Sequence, residues 1–243
     1  MLRSIAVLVA LAVAVPVLWL GSAIAYESWH TYTHRFRLII EVDDHGVSKS
    51  ASSVIQVTVV EKSNWVPQTG GVYRFVRGEA VFLDLGDGRN VIALLGLGPT
   101  GERDIDNLAA LAFGRDRPFW QREAPSWRGR VGLPLIPTLV TFTDLNDPKS
   151  ARVLRPSDFE SVFGPGVRFK SAEIEMVPSG IWPFGTIGWP RLLAGEPVTR
   201  GIEAKLPWWN GPFPWLKSVG AGVYVDTRQT GLKWHKGHFK RGD

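Results

Sequence analysis

The sequence predicts a mainly β fold, antiparallel and sandwich- or barrel-like, with one or two short helices. Three observations predict it: apolar residues recur at every second position in several runs, Gly/Asp/Asn turn signals separate those runs, and helical spacing shows in only two short places. Strands do not alternate with helices as a parallel α/β sheet requires. No repeat of fixed period runs through the chain, which argues against a propeller or a solenoid.

From His34 onward Phe36, Leu38, Ile40 and Val42 alternate with Arg37, Glu41 and Asp43, the pattern of a half-buried strand. Asp43-Asp44-His45-Gly46 supplies turn chemistry, and the β-branched run Ser53 to Glu61 is its partner in a hairpin or meander. Val72 to Phe75 and Ala80 to Leu85 are the next strands, and Gly86-Asp87-Gly88-Arg89 turns the chain into Asn90 to Leu95. Asp104 to Phe113 has near-helical apolar spacing, with Asp104 as N-cap and Gly114 as stop. Residues 115–135 read as a long, charged, proline-bearing connection. Thr138 to Thr143 is a strand, Asn146-Asp147-Pro148 a turn, and a short helix starts near Ser157 or Asp158 and ends at Gly164. In Val167 to Val177 the apolar parity switches, which predicts a bulge or strong twist near Ser171. Val219 to Thr227 is the last strand expected.

The chain has 243 residues, 28 Lys+Arg against 23 Asp+Glu, 44% apolar residues and no cysteine. That length and charge fraction fit folded domains, not a disordered chain. Without cysteine there is no disulfide framework, thiolate zinc site, cysteine nucleophile or lipidated cysteine.

Ile5 to Ala25 contains no ionisable group, and Arg3 precedes it. Such a stretch fits a bilayer. Ala23-Ile24-Ala25 is an A-x-A cleavage pattern, whereas the length of the run and Trp19, Tyr26 and Trp29 at its flanks favour an uncleaved anchor. Both readings, signal peptide or transmembrane helix, leave residues 26–243 outside the cytoplasm. The expected organisation is a hydrophobic segment 1–25, a β-rich extracytoplasmic domain 26–177, a Trp/Pro/Gly-rich lobe 178–227 and a basic tail 228–243.

The runs HRFRLIIEVDDHGVSKSASSVIQV, GEAVFLDLGDGRNVIALL and FTDLNDPKSARVLRPSDFESVFGPGV resemble a family of proteobacterial envelope proteins of unassigned activity, each with one N-terminal hydrophobic segment. The resemblance covers roughly residues 34–177. It implies a bacterial source and export, and it transfers no catalytic or binding residue.

Signatures of chemistry are sparse. There is no G-x-S-x-G, and Ser50-Ala51-Ser52-Ser53 opens a strand rather than a strand-to-helix elbow. Neither phosphate-binding glycine motif occurs; Gly96-Leu97-Gly98-Pro99 has the wrong spacing. His30 and His34 would share a helix face only if the N-terminal helix ran that far, and Thr31 stands where H-E-x-x-H needs glutamate. His235 and His238 sit among Lys233, Lys236, Lys240 and Arg241, which repel a cation, and His45 is alone. Asp144-Leu145-Asn146-Asp147 has the residue types of a calcium loop without its glycine and distal glutamate, so an ordinary turn is the simpler reading. No metal or cofactor is expected. Asp84, Glu173 and Glu175 are strand acids that a polysaccharide hydrolase would need in a cleft, though a solvated sheet face accounts for them more simply.

The most unusual stretch is Pro178 to Leu216, with five tryptophans (Trp182, Trp189, Trp208, Trp209, Trp215), seven prolines and six glycines. An ordered, irregular lobe follows, whose tryptophans pack it, form a platform for a sugar or peptide, or meet the membrane surface. Residues Trp208 to Trp215 are expected to be its exposed part. The tail from Arg228 to Asp243 carries five basic residues against one aspartate, and with Trp234 and Phe239 it suits anionic lipid or an acidic envelope polymer. The binding residues expected are therefore Trp208, Trp209, Trp215, Trp234, Lys236, Lys240 and Arg241. Nucleic acid is a poor partner for an exported chain whose basic residues lie on a tail. The leading reading is a membrane-anchored or secreted envelope protein, not an enzyme, that offers a surface to a protein, lipid or glycan. The alternative is a carboxylate-dependent hydrolase of an envelope polysaccharide.

Overall fold

A computed structural model of the chain describes residues 15–19, 21–22, 30–62, 70–98, 101, 103–113, 127–180, 189–210, 217–219, 222–226 and 233–242. The fold is mainly antiparallel β with a few short helices. The chain divides into two compact units, residues 1–33 with 58–74, and residues 34–57 with 75–243. In the first unit residues 15–19 and 21–22 are helical, and Val15, Val17, Leu18 and Trp19 are exposed. Among the described residues no helix is long and apolar enough to cross a membrane. The Thr33 and Thr58 hydroxyls meet at 3.1 Å, and the Lys62 ammonium lies 5.2 Å from the centre of the Tyr73 ring.

The strands are β1 (Thr31–Asp44), β2 (Val47–Lys62), β3 (Gly71–Glu79), β4 (Val81–Gly86), β5 (Arg89–Leu97), β6 (Arg103–Asp104), β7 (Arg128–Arg130), β8 (Pro137–Phe142), β9 (Ala151–Leu154), β10 (Val167–Val177), β11 (Lys217–Val219), β12 (Gly222–Asp226), β13 (Lys233–His235) and β14 (Lys240–Arg241). The helices are α1 (Leu108–Phe113), α2 (Phe159–Phe163) and α3 (Arg191–Ala194). One sheet has the order β14-β3-β2-β1-β10-β7, a second runs β4-β5-β8-β9 with β6 added to β5, and a third is β11-β12-β13.

The period-two pattern sets the register of β1: Phe36, Leu38, Ile40 and Val42 are at most 1% exposed, while Arg37, Ile39 and Glu41 are half-buried. Each of those buried side chains contributes roughly 1.5–3 kcal/mol to burial. The connections β1–β2 and β4–β5 are two-residue turns in which His45 and Gly46, and Asp87 and Gly88, all have positive φ. That backbone matches the twist of paired strands and explains the Gly in each turn. The parity switch near Ser171 is a bulge: Glu41 pairs with Ser171 but Val42 with Phe169, which leaves Lys170 as the extra residue.

The helix expected from Asp104 begins as a 3₁₀ turn, with the Asp104 carboxylate accepting from the Asp106 N–H, and continues as α1. Gly164 ends α2 as expected, while Gly114 lies outside the described residues. Five short strands, β6, β7, β9, β13 and β14, go beyond the expected set, and the strand expected over Val219 to Thr227 is instead the antiparallel pair β11 and β12. β7 sits in the stretch read as a connection and is an edge strand on β10, and β9 occupies the four residues between the turn at Pro148 and Arg155-Pro156. β3 also runs beyond Phe75 to Glu79, where main-chain pairing carries it through Val76 and Arg77, which are half-buried, to the buried Gly78 and Glu79.

Strands β5 and β8 are buried along most of their length, so the middle of their sheet is covered on both faces. Asn90 ties them together. Its Nδ2 donates to the Phe142 carbonyl at 2.8 Å and the Gly88 carbonyl at 3.0 Å, and its Oδ1 accepts from the Phe142 N–H at 2.9 Å. A cluster of buried side chains joins this sheet to later parts of the chain: Ile92, Leu94, Val140 and Phe142 pack with Ile202, Leu206, Trp208, Trp209 and Phe239.

Candidate functional site

Of the residues expected to bind a partner, Trp208, Trp209, Lys236, Lys240 and Arg241 come together in one part of the second unit. The segment leading to the two tryptophans starts at the 3₁₀ turn Ile202–Lys205, whose first N–H, that of Ile202, is accepted by the buried Glu79 carboxylate at 2.7 Å. A second 3₁₀ turn, Pro207–Asn210, then carries Trp208 and Trp209 inward. They are 6% and 7% exposed. The Trp208 ring lies 5.5 Å from Phe239 edge-to-face, 6.0 Å from Phe142 and 5.8 Å from Trp209. The exposure expected for this pair is corrected: their faces are covered by the sheet and by Phe239, and they act as packing groups. Trp215 lies outside the described residues, as does the side chain of Trp234.

The basic tail folds against this cluster. The charges of Lys236, Lys240 and Arg241 are held by neighbours in the chain. β14 adds to the edge of β3 with Lys240 opposite Glu79 and Arg241 opposite Gly78, and the Phe239 carbonyl accepts from the Ala80 N–H at 2.7 Å. Phe239 is thereby placed in the core at 2% exposure. Lys236 donates to the Trp209 carbonyl at 2.6 Å with its ammonium 5.0 Å from the centre of the Trp209 ring, a cation–π contact. Lys240 pairs with Glu203 at 2.8 Å, and Arg241 pairs with Asp104 and donates to the Gly237 carbonyl at 2.8 Å. A freely solvated tail is therefore not what residues 233–242 form.

His235 and His238 lie with ring centres 3.9 Å apart. The Nδ1 of His238 accepts from the His235 N–H at 3.2 Å, and the Nδ1 of His235 accepts from the Gly237 N–H at 3.0 Å. An accepting nitrogen carries no proton, so each neutral ring holds its proton on Nε2. A metal at Nε2 would need that proton on Nδ1, against the main-chain donors. Burial, together with the charges of His235 and Arg241, pushes His238 down to about 4, and burial with Arg241 lowers His235 as well. Among the described residues no group of three His, Asp or Glu side chains could hold a metal ion.

The other residues weighed for chemistry have structural surroundings. His34 is not helical: it lies on β1, 4% exposed and stacked on Phe36 at 6.4 Å, and burial pushes it down to about 4. The Asp144 carboxylate accepts from the Asn146 N–H at 2.8 Å and Asp147 from the Lys149 N–H at 2.9 Å, which is turn chemistry. Asp84 accepts from the Gly86 N–H, Glu173 pairs with Arg128 at 2.8 Å, and Glu175 pairs with Arg37 at 2.6 Å. His45 is bonded to Asp44, which also pairs with Lys49 and Arg89, and these donors hold the Asp44 carboxyl well below the usual carboxylate range.

Among the described residues of the Trp-rich lobe, other large apolar side chains are the exposed ones. Trp189 is 72% exposed and Leu192, on α3, is 94% exposed. The backbone beneath them is clamped. The Arg35 guanidinium donates to the Ala194 carbonyl at 2.9 Å and the Glu196 carbonyl at 2.6 Å, and Arg37 pairs with the Glu196 carboxylate, whose hydrogen bond raises the Arg37 pKa. Gly195, at φ +70°, lies so close to the chain at Pro178–Gly180 that a Cβ would fall 2.3 Å from the Gly180 nitrogen. The signal in the sequence was slight: Trp-Pro-Arg-Leu-Leu sets Pro190 at a helix start and leaves Trp189 and Leu192 three residues apart. The chain matches no protein-family model, no curated protein and no solved structure.

Proposed function

We propose that this protein is a component of the bacterial cell envelope, held at the inner membrane by residues 5–25, whose extracytoplasmic β domain, sandwich- or barrel-like, offers a binding surface and is not an enzyme. The apolar run with no ionisable group supports the address, and the resemblance of residues 34–177 to envelope proteins agrees with it. The observation that carries the binding reading is the pair Trp189 and Leu192, presented to water on backbone that Arg35 and Gly195 hold in place. Large apolar side chains on a rigid tip lose little conformational entropy when a partner covers them. The tip, not the Trp208–Trp209 pair, is the contact surface for a protein, lipid or glycan. The hydrolase alternative has less to stand on, because Glu173 and Glu175 are each engaged by an arginine.

The test is to express the full chain with its native N-terminus, fractionate the cells and measure the intact mass. An uncut mass in the inner-membrane fraction supports the tethered reading. A soluble species beginning at Tyr26 replaces it with a diffusible protein. Photocrosslinking from position 189 in the same cells reads the surface: adducts that vanish with Leu192→Ser support it, and no adduct at all refutes it.

A further inference from the structure

The second unit has a pocket at the end of the β5–β8 pair. The ladder ends where Leu97 faces Pro137, because proline has no N–H to continue it. Beyond that point Gly98 is held by its own N–H to the Ile136 carbonyl at 3.3 Å and by the Thr138 hydroxyl, which donates to the Gly98 carbonyl. A cavity of about 360 Å³ opens there, lined by Leu133, Pro134, Pro137, Leu154, Arg155 and Pro156 among others. Its size is at the lower end of small-molecule sites, which run from about 300 to 1,000 Å³. Three of these lining residues are prolines, whose fixed φ sets the walls before anything binds.

The walls are apolar, and one charge stands among them. The Arg155 guanidinium forms no ion pair among the described residues, in contrast to Arg37, Arg89, Arg128, Arg168 and Arg241. The neighbouring acid does not neutralise it: Asp158 accepts from the Arg155 main-chain N–H at 3.0 Å through one oxygen and from the Ser157 hydroxyl at 3.0 Å through the other. Leu133 is 75% exposed although it lines the pocket, so its apolar surface has no cover of its own. We propose that this pocket binds a small amphipathic carboxylate, an aliphatic acid whose chain lies against Leu133, Leu154 and the prolines and whose head group pairs with Arg155. A guanidinium matches the two oxygens of a carboxylate with two parallel N–H donors. A cationic amphiphile would meet an uncompensated positive charge, and a neutral one would leave the guanidinium without a partner.

The proposal does not rest on the tip at Trp189 or on the membrane address, and its failure leaves both standing. Octanoate is titrated into the full chain in lipid nanodiscs, with empty nanodiscs subtracted, and the leucine methyl resonances of Leu133 and Leu154 are followed by NMR. Saturable shifts with a Kd of about 1 mM or tighter are expected for a ligand of this size. Arg155→Ala should weaken octanoate roughly three- to tenfold while leaving octan-1-ol unchanged. Arg155→Glu should abolish octanoate and admit octylammonium. Both substitutions fall on an exposed side chain, and unchanged thermal unfolding confirms that they spare the fold. Leu133→Glu, also exposed, should repel octanoate. Octanoate binding that does not saturate, or that is indifferent to Arg155→Ala and Leu133→Glu, overturns the proposal, as does octan-1-ol binding as tightly as octanoate to the unaltered chain.

Discussion

Trp208→Ala distinguishes a packing tryptophan from a binding one, and its effect can be worked from the surroundings of the ring. Burial of a tryptophan removes about 150–250 Å² from water. At about 25 cal/mol per Å², and with only 6% of the residue exposed, the ring contributes roughly 4–6 kcal/mol of burial. Alanine retains about 1 kcal/mol of that, while the hole it leaves between Phe142, Trp209 and Phe239 relaxes only in part. The expected loss is about 3–5 kcal/mol, enough to unfold a domain of ordinary stability or bring it close to unfolding. Urea unfolding of the full chain, followed by far-ultraviolet circular dichroism, measures it. Trp208→Phe, which keeps the edge-to-face contact with Phe239, should cost less than half as much. A loss below about 1 kcal/mol for the alanine variant would refute the packing assignment and return Trp208 to the surface.

Four further outcomes are expected. Trp189→Ala should change stability by less than about 0.5 kcal/mol by urea unfolding, since the ring is largely in water. Gly195→Ala should destabilise by several kcal/mol and loosen the tip, because the backbone has positive φ and the new Cβ has no room; protease cleavage within residues 189–196 would show it. Asn90→Ala removes both bonds to Phe142 and leaves that buried main chain without them, at a cost of about 2–4 kcal/mol by urea unfolding. Stability should depend on pH through His34, which titrates near 4 when folded and near 6.5 when unfolded. The unfolded chain binds the proton first, so the contribution of neutral His34 is complete above about pH 6.5, falls as the pH drops, and levels off below about 4. The span is roughly 3 kcal/mol, and His34→Leu should flatten the part of the curve that His34 supplies.

What could be read in the sequence was what repeats locally. Phe36, Leu38, Ile40 and Val42 declare their strand because a period of two has one cause, a face turned to a core. Asp104 and Gly164 mark helix ends because capping is settled within a few residues. The same holds for the parity break at Ser171, which only an extra residue in the strand produces. β7, β9 and β14 are too short for periodicity to show; β9 exists through main-chain bonds to the preceding strand β8, and β7 and β14 through bonds to strands far away in the chain. The candidate site failed to show for a related reason. A tryptophan reads alike whether it is core or surface, and the burial of Trp208 is decided by Phe142 and Phe239 on other elements. The exposure of Trp189 is decided by Arg35, more than 150 residues earlier, which fixes the backbone on which it stands. The apolar pocket depends on where three prolines meet in space, and no spacing announces it.

Phe239 has a bearing on the order in which the chain assembles. Its carbonyl closes onto Ala80 and its ring completes a cluster begun by Ile92, Val140 and Phe142. A nascent chain can form the β4–β5 hairpin early, but the cluster stays open until residue 239 has left the ribosome or crossed a membrane. The long loop that must close at that step makes it slow relative to hairpin formation. Until then Trp208, Trp209 and the edge of β3 are bare, a window in which a chaperone or a neighbouring nascent chain competes for the place that Phe239 later takes.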